Sequence, residues 1–117
     1  MEEEFKGHGF VYWEETVSPD GRFRVLDGYS DGEKTPTLVE PRIIEIVSGA
    51  VVLDLWHTYM NYELEFLDAG KARLTIQDAY QTVKRIAEIN LNNRTFSFSD
   101  SPLTQEPLSN LGNRVRS

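Results

Sequence analysis

Between Tyr62 and Ile76 apolar and charged side chains alternate on both sides of Asp68-Ala69-Gly70. A period of two puts Tyr62, Leu64 and Phe66 on one face of a strand, and Ala72, Leu74 and Ile76 on one face of the next. The opposite faces carry Glu63 and Glu65 against Lys71 and Arg73, which suits charge pairing across the strands. The stretch is predicted as an antiparallel hairpin shielded by hydrocarbon on one side. Any fold for this chain has to supply a second layer to cover that face.

Similar signals recur along the chain. Gly9–Glu15 is rich in strand formers and meets Ser18-Pro19-Asp20-Gly21, where Pro presets φ and Gly accepts positive φ. Arg22–Leu26 follows with Phe23 and Val25 on one face, and the two segments read as a hairpin. Arg42–Val47 and Ala50–Leu55 flank Ser48-Gly49, a spacing that suits a two-residue turn. Both are apolar at nearly every position, which predicts central strands covered on both faces. Residues 78–90 fit a helix capped by Asp78 or a strand with Arg85, Ala87, Ile89 and Leu91 on one face. The β-branched Thr82, Val83 and Ile86 favour extended structure, leading through Asn92-Asn93 into Arg94–Phe98.

These elements amount to an all-β, mainly antiparallel fold of about seven to eight strands, a sandwich or a small barrel. One short helix is allowed, in 78–90 or in the C-terminal tail. The 117 residues are read as a single domain, with residues 1–8 and 99–117 as loosely ordered tails.

The formal charge of −7 is concentrated at one end: residues 1–40 hold ten acidic and four basic side chains. An acidic surface repels phosphate and anionic lipid, so nucleic acid and membrane are not expected partners, whereas a basic protein is favoured electrostatically. Met1-Glu2-Glu3-Glu4 is unlike a basic signal-peptide start, and runs such as Ala50–Leu53 fall far short of the roughly 20 residues of a membrane helix. A cytoplasmic location is expected. The absence of Cys excludes disulfides, thiolate chemistry and Cys-ligated metals.

Catalytic motifs are sparse. Glycines sit singly in turns, and no Ser occupies a nucleophile elbow. A zinc or non-haem iron site would need both His8 and His57 together with carboxylates such as Glu40 or Asp54. The simpler reading makes His8 a tail residue and His57 a strand-end residue. No catalytic residue, metal or cofactor is assigned.

The segment Leu55–Tyr62 packs Trp, His, Met and two Tyr into eight positions, suited to a core plug or to a recognition surface. Residues 27–36, with two Asp-Gly steps and a Pro, read as an exposed acidic loop. Pro41–Gly49 continuing to Trp56, with Ile89–Phe96, resembles small bacterial all-β proteins of unknown function, some of immunity-protein type. The resemblance covers roughly residues 41–98, and Asn90 stands where it leads one to expect an acid. It implies a bacterial origin and a binding role, and no active site.

The reading that follows is a non-enzymatic binding module, an acidic immunity-type inhibitor of a basic partner. Its expected contact residues are Asp27, Asp31, Glu33, Trp56, His57 and Tyr59. The alternatives are a small-molecule binder with a cavity lined by Trp13, Trp56, Tyr59 and Tyr62, a carboxylate-based hydrolase or isomerase, and a homo-oligomer pairing through strand edges.

Overall fold

The computed structural model describes residues 2–30, 37–68 and 70–116. Two antiparallel sheets face each other. The first has strand order β1-β2-β3-β4, formed by Tyr12–Val17, Phe23–Ser30, Leu38–Glu45 and Val51–Asp54. The second runs β5-β6-β7-β8-β9, formed by Asn61–Asp68, Lys71–Gln77, Val83–Asn90, Thr95–Phe98 and Glu106–Pro107. The expected all-β, mainly antiparallel architecture is present as an open sandwich, with nine strands among the described residues, and not as a closed barrel.

The hairpin read from residues 62–76 sets the second sheet. Tyr62 lies opposite Ile76, Leu64 opposite Leu74 and Phe66 opposite Ala72. Ala72, Leu74 and Ile76 are buried against Phe23, Val25 and Ile43 of the first sheet, in the core cluster that also holds Ile89, Phe96 and Phe98. Tyr62 is buried as well, but Leu64 and Phe66 are only half-buried, because β5 is an edge strand and the sandwich opens along it. The expected charge pairing differs in partner: Arg73 reaches Glu88 of β7, 4.0 Å away, rather than Glu63 or Glu65.

Three other expectations are corrected. The first strand begins at Tyr12 rather than Gly9, because Gly9 has φ 78° and turns the chain before the ladder starts. The β3–β4 connection is a five-residue loop, not a two-residue turn; Gly49 at φ 72° donates its N–H to the Glu45 carbonyl. Of the two apolar strands only β3 is central. The short β4 is the sheet edge, and its apolar side chains are covered instead by the C-terminal segment.

That segment, expected as a loose tail or a short helical turn, forms a 3-10 turn at Leu108–Asn110 and the helix α2, Leu111–Arg116. Leu108 and Leu111 enter the main core. Of residues 78–90, favoured as extended, 83–90 form a strand, whereas 78–82 form a tight turn instead. The Asp78 carboxylate holds that turn by accepting the N–H groups of Tyr80 and Thr82.

At the other terminus, α1 (Glu2–Phe5) and Phe10 cross the outer face of the first sheet. A second apolar cluster forms there from Phe5, Leu26, Ile44 and Trp56, with Phe10 and Trp13 packed against it. The first sheet is therefore covered on both faces over its centre. No helix among the described residues is long and apolar enough to cross a membrane.

Candidate functional site

Strand alternation decides which side of the first sheet each predicted site residue serves. On β2, Phe23, Val25, Asp27 and Tyr29 face the second sheet, while Leu26 and Gly28 face outward. Asp27 and Trp56 consequently lie on opposite faces: the Trp56 indole N–H donates to the Leu26 carbonyl at 3.1 Å from the outer side. The four of these residues that the structure describes, Asp27, Trp56, His57 and Tyr59, do not share one face. Asp31 and Glu33 fall outside the described residues.

Trp56, expected as a contact residue, is 2% exposed, and its ring supports the fold. The guanidinium of Arg42 lies 3.5 Å over its ring and pairs with Asp54 at 3.0 Å. This flat stack leaves Arg42 Nε buried without a hydrogen-bond partner among the described residues, and the ring face compensates in part. Asp54 bonds both Arg42 and the following turn: its other oxygen accepts the Trp56 N–H at 3.1 Å.

His57 and Tyr59 are exposed, and both adopt positive φ, 65° and 59°. Non-glycine residues occupy that region only when the surroundings hold them there. Here the holder is Glu40, buried on the outer side of β3. Its carboxylate accepts the N–H groups of His57 at 3.2 Å and Tyr59 at 2.7 Å, and lies 3.2 Å from the Thr58 hydroxyl. Thr58 in turn bonds Tyr62 at 2.7 Å. Glu40 thus serves as a structural clamp.

The sequence reading did not foresee that His8 and His57 meet. His8 Nδ1 lies 2.9 Å from His57 Nε2, with the ring centroids 5.1 Å apart and inclined by 22°. Among the described residues no group of three or more His, Asp or Glu side chains is placed to hold a metal ion.

A concavity opens between residues of β1, β2 and β3 on one side and β5 and β6 on the other. It has a volume of about 520 Å³, and Asp27, Tyr29, Tyr62, Glu63, Glu65 and Arg73 contribute to its walls. Asp27 is half-buried and takes no hydrogen bond or ion pair among the described residues. Burial, reinforced by the nearby Glu14 carboxylate, pushes its carboxyl up to about 6. Tyr29 donates to Glu14 at 3.0 Å, and burial together with that carboxylate raises its hydroxyl well above the ordinary value. Of the four aromatic residues expected to line a cavity, only Tyr62 does so. Trp13 and Trp56 belong to the outer cluster, and Tyr59 projects into solvent.

Fold and groove together define an antiparallel β-sandwich with an acidic, partly aromatic cleft open along one side. No protein-family model matches the chain, and neither a curated protein nor a solved structure matches it.

Proposed function

We propose that the protein is a non-enzymatic binding module whose inter-sheet groove takes a cationic side chain from a basic protein partner, in the manner of an acidic immunity-type inhibitor. The observation that carries this reading is the Asp27 carboxyl, half-buried in the groove with no partner of its own among the described residues. A guanidinium or ammonium placed there supplies the missing hydrogen bonds and offsets the burial of the charge. Glu14, Glu63 and Glu65 extend the same sign of field around it, which favours encounter with a positive surface. Among the described residues Arg73 is the one basic side chain in the groove lining, and it already pairs with Glu88.

A second reading is supported by Tyr29, Tyr62 and Phe66 in the same lining, which suit a small amine with an aromatic or aliphatic body. Titration calorimetry with an arginine-containing extended peptide and with a small aromatic amine separates the two. The first reading expects the peptide to bind more tightly, to weaken with salt, and to lose about tenfold in affinity in Asp27→Asn. Peptide affinity indifferent to both salt and Asp27 would overturn it.

A further inference from the structure

The two histidines of the chain are 49 positions apart in sequence and in contact in space. We infer that His8 and His57 form a proton-controlled clasp that fastens residues 2–10 over the Trp56 face of the first sheet, and that protonating both imidazoles releases this strap. The inference is independent of the groove.

The contact between Nδ1 of His8 and Nε2 of His57 requires one nitrogen to donate and the other to accept. With both rings protonated, each facing nitrogen carries a hydrogen, the acceptor is gone and two cations oppose each other. His57 cannot withdraw cheaply, since Glu40 anchors its backbone in a left-handed conformation. His8 can, because Gly7 and Gly9 on either side have φ 81° and 78°, a backbone suited to hinging.

Beyond the clasp the strap is held by ring contacts. Phe5 stacks on Trp13 with centroids 5.2 Å apart and lies 5.0 Å from Trp56, and Phe10 meets Trp56 edge-on at 5.1 Å. Beneath them sit Leu26 and Ile44.

Among the described residues the charged groups around the pair are few. From β3 come Arg42 and Glu40, from the end of β4 Asp54, and on the strap itself are Lys6 and Glu4, the latter paired with Arg24 at 3.0 Å. Burial first, then Arg42 and His57, hold His8 below the ordinary imidazole value, and Asp54 opposes them. The closed form therefore prefers neutral His8. Its advantage is fully present above the free imidazole value of about 6.5 and is lost as pH falls through the range beneath it.

Hydrogen exchange read by mass spectrometry on the intact chain tests the clasp, in an Asp27→Asn background so that the groove carboxyl does not titrate in the same range. Peptides covering residues 2–10 should lose about tenfold in protection, after correction for intrinsic exchange, between about pH 7.5 and pH 5, while peptides from β6 keep theirs. In His8→Gln, and in His57→Asn, whose Asn tolerates the left-handed backbone, that pH dependence should vanish. Equal protection of the strap at both pH values would overturn the inference, and so would a pH response that persists undiminished in His8→Gln.

Discussion

The Glu40 carboxylate accepts the Tyr59 N–H at 2.7 Å, which ties the connection between β4 and β5, and so between the two sheets, to β3. Glu40 lies on β3 opposite Gly28, with the aromatic cluster beside it, so the carboxylate is shielded from water and satisfied by the loop instead. Removing the side chain strands the N–H groups of His57 and Tyr59 in a backbone conformation neither residue prefers. Glu40→Ala should lower unfolding stability by about 3 kcal/mol, and Glu40→Gln, which keeps one acceptor, by about half of that. Urea unfolding followed by tryptophan fluorescence measures both.

Asp27 has the opposite effect at neutral pH. Its carboxyl titrates at about 6 in the folded chain, above the ordinary value of 3.8, so folding favours the protonated form. The stabilisation is fully present below the ordinary value and lost as pH rises through about 6. Asp27→Asn should therefore raise stability at mildly alkaline pH by about 2 kcal/mol and flatten the stability profile between the two values. Thermal unfolding across that pH range reads the effect. The same variant should bind cationic peptide less well, which would mark Asp27 as a residue kept at a cost to stability.

At Gly28 the Phe10 ring of the strap lies directly against the sheet backbone. A β-carbon built there lies 2.4 Å from the Phe10 ring, so a methyl group and the ring cannot share the space. Gly28→Ala should displace Phe10, expose residues 2–10 to exchange at every pH, and leave the inter-sheet core intact. Limited proteolysis with a Phe-directed protease should then cut at Phe5 or Phe10 well before any core strand.

In the inter-sheet core Leu74 is fully buried between Leu64 and Ala87, its partners on the neighbouring strands. Leu74→Ala removes four heavy-atom positions' worth of contact less one methyl, and should cost about 3 kcal/mol. A loss under about 1 kcal/mol in urea unfolding would mean that this layer is not packed as described.

Much of the architecture was legible because alternation is a local property. The pairs Tyr62–Ile76 and Leu64–Leu74 follow from spacing alone, and Ala87, Ile89 and Leu91 are buried together as the strand reading of residues 83–90 requires. The apolar run at Val51–Leu55 misled because burial by a helix and burial by neighbouring strands leave the same trace in composition. Nothing local in that run says that Leu108 and Leu111 arrive from the far end of the chain to cover it.

The candidate site was legible only in part. Asp27 was picked out as an acid in an irregular stretch, whereas it belongs to β2 and owes its interest to the groove. Trp56 was picked out for its size, and size is what made it core. The meeting of His8 with His57 depends on where β1 and β4 lie in one sheet, information that no window of sequence contains. A weak trace did exist in Phe5 and Phe10, two large apolar side chains in an otherwise acidic start, which needed somewhere to go.

The outermost strand β1 presents Glu14 and Glu15 on its two faces. A second copy docking antiparallel along it would set carboxylates against carboxylates on both sides of the new ladder, at spacings where like charges repel. Growth by strand addition is thereby disfavoured along this border of the sheet.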